Sequence, residues 1–288
     1  MINEINWPYK ENHIDNIIEI IEMASNTIVL PSFRNLDSHN IESKSHKSDL
    51  VTIADKNTEV FITEQIKMLF PHAFVVGEEA VESNPNLLTQ MLNEDLVFIV
   101  DPIDGTWNYA KGVSLFGIMI SVVSRGQVVY GLIYDPVNGD FIHAEKGGGA
   151  WRGKSTNLFN NKLSVSSETT TENMIGFIPY YIYGYVFGEQ KRDELLRKFT
   201  HFDRVMSLRC SAHEYRMMSE GSADFNLTSN VKPWDHVAGS LIHSESGGVT
   251  RLLSGDEYSL NVKSGQLLSA SNEDNWNLLY SKFSFLTE

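Results

Sequence analysis

The chain is short of three things. It has one cysteine, Cys210, among 288 residues, which excludes an intrachain disulfide and is the usage expected of a reducing compartment. It is short of positive charge, with 23 Lys and Arg against 37 Asp and Glu and a net charge of −14. Proteins that bind nucleic-acid polymers or anionic membrane surfaces rely on basic patches, so neither partner is expected. It also lacks any apolar run near the roughly 20 residues that span a bilayer. Its start, MINEINWPYKENHID, has neither the basic nor the apolar segment of an export signal. The expected location is the cytoplasm. A small anionic substrate stays open, provided a metal ion supplies local positive charge. What is present, 42% hydrophobic and 11% aromatic residues, is enough for one large globular domain or two closely packed ones.

Hydrophobic spacing divides the chain into recognisable elements. Ile14, Ile17, Ile18 and Ile21 recur at helical spacing and predict a helix over 13–25. The polar stretch LDSHNIESKSHKSDL, about 36–50, reads as a loop. A second helix is expected over 55–69, capped by Asp55 or Asn57, with Pro71 past its end. Phe74-Val75-Val76 and Leu96-Val97-Phe98-Ile99-Val100 read as strands, with a linker at Asn84-Pro85-Asn86 between them. Runs at about 114–124, 127–134 and 140–145, with turns at Arg125-Gly126 and Asn138-Gly139, suggest an antiparallel meander. Beyond it, strands near 173–178 and 204–208 precede helices around 189–200 and 211–220, the latter opening on a Ser211-x-x-Glu214 capping box. A further helix begins at Asp235 and stops at Gly247-Gly248, and a strand near 266–270 and a helix near 273–282 close the chain. The change of pattern predicts two subdomains, 1–160 and 161–288, in a mixed α+β / α/β fold.

The most specific stretch is Asp101-Pro102-Ile103-Asp104-Gly105-Thr106, directly after the 96–100 strand. Ligand sites of α/β folds form at the carboxyl ends of strands. Carboxylates confined there need a proton, a cation or a metal. Further acids stand at element ends, namely Glu78 and Glu79 after the 74–76 strand and Asp235 at a helix start. Each alone has a plain reading, a solvated Gly-Glu-Glu turn and a helix N-cap.

Taken together, Gly77-Glu78-Glu79, the hexad 101–106, Trp234-Asp235-His236 and the segment from Lys44 to Asp55 resemble the inositol monophosphatase family of metal-dependent phosphatases. The resemblance covers most of the chain in the right order. It implies a layered αβαβα fold, a homodimer and a small phosphorylated metabolite as substrate. Glu78, Asp101, Asp104, Asp235 and the carbonyl of Ile103 would hold two or three Mg2+ ions, with Asp101 bridging. Thr106, with Glu78, Glu79 or Asp49 and Asp55 nearby, would orient the attacking water. Backbone N–H groups of Gly105 and Thr106 would receive the phosphate, with Ser211, Lys232 and Asp235 beside them. Hard oxygen donors of this kind suit magnesium, and paired metals can activate water and stabilise the leaving oxygen. A turn hydroxyl capping a short helix is the plain reading of Thr106.

Substrate choice departs from the inositol-selective pattern. Thr228 stands seven positions before Asp235, where those members carry an acidic residue. Arg209-Cys210-Ser211-Ala212 replaces a Gly-Thr-Ala-type turn, and Lys232 brings a cation near the site. Inositol monophosphate, histidinol phosphate, fructose 1,6-bisphosphate and 3′-phosphoadenosine nucleotides therefore all stay in view. Tyr180, Tyr181, Tyr183 and Tyr185 form an aromatic cluster that would wall the pocket or build core or interface. The histidines His46, His143, His213 and His243 show no zinc spacing, whereas His236 adjoins Asp235. Two competing readings differ in class. Gly148 to Ser155 fits the literal G-x-x-x-x-G-K-[ST] pattern of a nucleotide-binding P-loop, but its flanks alternate like a strand and then read as a loop. A non-catalytic member of the same fold is the other, and it would be expected to have lost carboxylates that are all present here.

Overall fold

The computed structural model describes residues 12–44, 49–155 and 157–287. His46 and the rest of 45–48, Thr156, and the side chains of Tyr181 and Tyr185 lie outside the described residues. A seven-stranded sheet takes the strands in sequence order: β3 (Phe74–Gly77), β4 (Leu96–Asp104), β5 (Gly117–Ser124), β6 (Gln127–Asp135), β7 (Asp140–Glu145), β8 (Gly149–Lys154) and β9 (Asn157–Lys162). β3 runs parallel to β4 and the other neighbours are antiparallel. The meander thus continues two strands past the expected three. Gly148-to-Ser155 is mostly strand β8, paired with β7 and β9, which removes the strand-loop-helix context a P-loop needs.

The 96–100 run is continuously apolar because both faces of β4 are covered. Phe98 and Val100 face the cluster made with α1 (His13–Ala24) and α3 (Ile53–Leu69). Val97 and Ile99 face Trp234 and Val237 of α10 (Pro233–Glu245). The first helix runs on past the expected end, through a π-helical turn at Ser25–Val29 into α2 (Leu30–Ser32). The expected loop at 36–50 is partly a ribbon in which β1 (Ile41–Ser43) pairs antiparallel with β2 (Leu50–Thr52). The linker is likewise partly helical, at α4 (Glu78–Ser83) and α5 (Leu87–Gln90).

A second sheet holds β11 (Arg204–Met206), β10 (Ile175–Phe177), β12 (Phe225–Thr228), β14 (Leu267–Ala270) and β13 (Val249–Leu252), in that order. α9 (Ser211–Ser219) and α10 lie between the sheets, with Ala212, Tyr215, Ala238 and Ile242 packed against Met119 and Ile133 on one side and Phe177 on the other. Gly239 permits this packing, since a Cβ there would sit 2.1 Å from the Tyr215 ring. α7 (Tyr180–Phe187), α8 (Glu189–Lys198) and α11 (Glu273–Phe283) cover the outer face through Tyr183, Leu195 and Leu279. The layers are therefore α, β, α, β, α. Tyr183 belongs to this core while Tyr180 is exposed, and neither lines the carboxylate-bearing cavity described below.

Three helix starts differ from their sequence readings. Ser211 is the first residue of α9 rather than its cap, and the capping box is not formed: Cys210 is the N-cap, and Glu214 accepts from Leu208 N (3.0 Å) and Asn226 Nδ2 (2.8 Å) instead. α3 is capped by Thr52, with Asp55 at the third position closing a true capping box. Asp55 is therefore not the cap. α10 likewise starts at Pro233, which puts Asp235 inside its first turn. Among the described residues no helix is long and apolar enough to cross a membrane.

Candidate active site

β4 delivers the site. Its ladder with β5 is regular to Asp101 and resumes at Asp104, with a register shift between. That irregularity turns both carboxylates toward one cavity while the strand stays anchored. Gly105 then takes a positive φ of 84° and opens the short helix α6 (Thr106–Ala110). A Cβ on Gly105 would lie 2.9 Å from Leu115 O, so glycine is required there. The first turn of α10 brings Asp235 to the same place, and oxygens of Asp101, Asp104 and Asp235 lie within 4.8 Å of one another. A cavity of about 210 Å³ is lined by these three with Asp49, Glu78, Gly105, Thr106, Ser211 and Lys232. Of the sequence-predicted residues, Asp55, Ile103 and Glu79 are not on its lining.

The electrostatics are severe. Asp101 is 1% exposed; Oδ1 accepts from Ile103 N (3.1 Å), and Oδ2 is buried with no hydrogen-bond partner. Burial, then Glu78, Asp104 and Asp235, raise its pKa well above the carboxylate range. Burial followed by Asp235 pushes Asp104 up to about 7, against hydrogen bonds from Cys210 Sγ (3.0 Å) and Ala212 N (2.6 Å). Burial raises Asp235 as well, against Lys232 and a short hydrogen bond from the Asn230 amide. A buried, unpartnered carboxylate oxygen among like charges costs several kcal/mol as an anion. Such an oxygen requires a cation or a proton.

A second layer holds these groups. Burial raises Glu78, opposed by Lys44, whose ammonium donates to Glu78 Oε1 (3.0 Å) and Glu79 Oε1 (2.7 Å). Desolvation would lower the Lys44 pKa, but the two glutamates raise it overall. Glu59 accepts from the backbone N–H groups of Glu79 (2.7 Å) and Ala80 (2.8 Å), capping α4. It approaches Gly77 so closely that a Cβ there would lie 2.1 Å from the carboxyl carbon. Thr106 Oγ1 stands 3.1 Å from Asp55 Oδ1 and 3.0 Å from Ile103 O. Asp55 is pushed up to about 7 by burial, against its hydrogen bond from Thr52. His236 bonds Tyr215 OH through Nδ1 (3.1 Å) and is lowered to about 4 by burial, so it is neutral near pH 7. His143 and His213 bond backbone carbonyls and His243 bonds Thr250.

Lys44, Glu59, Asn230 and Cys210 were not singled out as site residues. Lys44 belongs to a recognised segment and Asn230 stands near Asp235, so position alone could have flagged those two. The contacts of Glu59 and Cys210 cross between distant elements and leave no local spacing to read.

The family profile described as "Inositol monophosphatase family" matches residues 12–288. The chain belongs to the inositol monophosphatase family. It is 32% identical to an inositol-1-monophosphatase of Bacillus subtilis, over 77% of this chain and 79% of that one. It is 30% identical to a fructose-1,6-bisphosphatase/inositol-1-monophosphatase of Thermotoga maritima, over 76% and 77%. The solved structure of a Thermotoga maritima IMPase superposes with a TM-score of 0.80, covering 96% of this chain and 98% of that one at 22% identity. That last likeness speaks to the fold, and it confirms the layered arrangement. Inositol monophosphatase family members are metal-dependent, and the residues here fit such an ion: the unpartnered Asp101 oxygen and the convergent carboxylates are hard donors in need of positive charge.

Proposed function

We propose that the protein is a magnesium-dependent phosphomonoesterase that hydrolyses a small phosphorylated metabolite by direct attack of water. The observation that carries this reading is the unpartnered, buried Asp101 Oδ2 at the centre of the carboxylate cluster. Asp101, Asp104, Asp235, Glu78 and the Ile103 carbonyl would hold two or three Mg2+ ions, which when bound supply the charge that draws a phosphate and acidify water. The remaining work falls to the chain's own groups. The Thr106 hydroxyl has one proton and two acceptors, Asp55 Oδ1 and Ile103 O. Once Asp55 is ionised it is the stronger acceptor, and Thr106 Oγ1 then presents lone pairs that can take a proton from water. Asp55 is the base at the end of that relay, and Thr52 fixes its other oxygen. Asp49 and Glu78 border the same space.

Backbone N–H groups at the start of α6, beginning with Gly105 and Thr106, have no intrahelical acceptors and suit phosphate oxygens. Ser211, Asp235 and Lys232 flank the substrate side. Desolvation lowers and Asp235 and Glu78 raise the Lys232 pKa, with a net rise, so its charge offsets acids rather than adding to a basic patch. The intact carboxylate set favours an enzyme over a non-catalytic member. A homodimer in the cytoplasm belongs to the same proposal: the family resemblance supports the first, and the single cysteine fits the second. Phosphate release from glycerol 2-phosphate with Mg2+ titrated from zero tests the activity, and metal-independent release, or none, would reject it.

A further inference from the structure

Asp235 reaches the carboxylate cluster from the first turn of α10, so its place depends on the turn 229–232 that leads into that helix. Side chains hold this turn. Asn230 N donates to Thr228 Oγ1 (3.1 Å), and Asn230 Oδ1 accepts from Lys232 N (3.3 Å). A backbone N–H can only donate, so the carbonyl end of the Asn230 amide must face it. The NH2 end is thereby turned to Asp235 Oδ2, to which it donates. One oxygen of Asp235 is engaged in this way, and the other is left to act as a ligand.

The turn is anchored from its far side by Tyr258. The phenol donates to Val231 O (3.1 Å) and lies 3.5 Å from Lys232 O. Tyr258 comes from the segment between β13 and β14, which is folded back on β13 by Leu252 N donating to Asp256 O (3.0 Å) and Arg251 Nε to Glu257 Oε1 (3.1 Å). Its ring packs with Val231 beside Leu252 and Leu267, and meets the His236 ring edge-on with 6.2 Å between centroids. Burial, with Tyr215 and Asp235 nearby, raises the phenol pKa well above its ordinary value, so the hydroxyl stays a donor. Tyr258 is absent from the lining of the carboxylate-bearing cavity. It borders a separate cavity of about 480 Å³ between α10, β13 and the 126–128 turn. The hydroxyl is therefore placed to act on the site through the turn rather than on a substrate.

We infer that Tyr258 is a positioning residue: by fixing the carbonyl side of the 229–232 turn it keeps the Asn230 amide on Asp235, and so sets the affinity of that carboxylate for Mg2+. The inference rests on the metal-dependent reading of the site and adds to it a residue from outside the cavity.

Tyr258→Phe removes the hydroxyl and keeps the ring. Mg2+ binding by calorimetry should weaken roughly threefold to tenfold, what one net hydrogen bond provides. Asn230→Ala should weaken it about tenfold to a hundredfold, as for other partners of metal ligands. The double variant should bind about as weakly as Asn230→Ala alone, because the hydroxyl acts through the amide. The melting temperature without metal is the control: a merely structural anchor lowers it in Tyr258→Phe and leaves Mg2+ affinity unmoved. Should Asn230→Ala not fold, Asn230→Ser takes its place in the cycle. Wild-type affinity in Tyr258→Phe, or two losses that simply multiply in the double variant, would overturn the inference while leaving the metal site intact. Wild-type protein that binds no Mg2+ would instead remove the reading on which it rests.

Discussion

The two ends of the cavity are built on opposite principles. At the acidic end, Asp101, Asp104, Asp235 and Glu78 are buried against one another, and all are raised in pKa first by burial. This end is poorly stable on its own and awaits a partner. At the far end, Arg209 and Trp107 sit on a turn whose backbone polar groups are satisfied by buried side chains. Frustration marks where the chemistry happens, whereas satisfied rigidity marks where recognition can be precise.

The sharpest way to break this contrast is Asp101→Asn. Turnover should fall below detection in a phosphate-release assay, because the central donor is gone. At alkaline pH, where the buried Asp101 would be driven to ionise, the metal-free variant should nonetheless melt higher than wild type, since that group can no longer become a repelling charge. Retained Mg2+-dependent turnover would contradict the role given to Asp101. Thr106→Ala comes next: turnover should drop by about 10²–10⁴, as for other proton-transfer groups, with Mg2+ affinity by calorimetry nearly unchanged. Near-normal turnover would leave Thr106 as a helix-start hydroxyl only.

Acidity gives a third, smaller effect. Asp55 is raised to about 7 and works as a base only when ionised, so kcat/KM should climb up to about tenfold per pH unit below 7 and level above it. Asp55→Asn should flatten that rise along with the rate. The same shifts govern stability without metal. Asp55 and Asp104 move from 3.8 to about 7, and Glu59 from 4.5 to about 7. A raised carboxyl pKa means the folded state holds protons that the unfolded state has lost, so stability is complete below the unfolded values and declines as pH rises toward the folded ones. Metal-free protein should accordingly melt several degrees lower at about pH 8 than at about pH 5. Added Mg2+ should recover more at the higher pH, and a flat melting profile would count against the buried charge cluster. The smallest expected effect is none, for Lys154→Ala, whose residue lies at the end of strand β8.

Much of this was legible in the sequence, and unevenly so. The 96–100 run declared a buried strand, and the hexad after it carried both acids three positions apart. Asp235 was recognisable only because its neighbours Trp234 and His236 completed a pattern. What escaped reading depends on contacts between distant elements. Lys44 reaches Glu78 and Glu79 across 34 and 35 positions, and Cys210 reaches Asp104 across 106. Glu214 shows the limit of local rules: it completes a capping-box spacing with Ser211, yet the buried N–H of Leu208 and the Asn226 amide compete for its carboxylate and win. The extra strands β8 and β9 were missed because β9, with its polar Asn157, Asn160 and Asn161, is mostly exposed and lacks alternation.

The most direct test of the central claim is phosphate release from an ester substrate as Mg2+ is raised from a chelated zero, read beside calorimetric Mg2+ binding. The account predicts no release without the ion, saturation with it, and loss of both signals in Asp101→Asn. Hydrolysis that persists in chelator, or tight Mg2+ binding that survives Asp101→Asn, would contradict it.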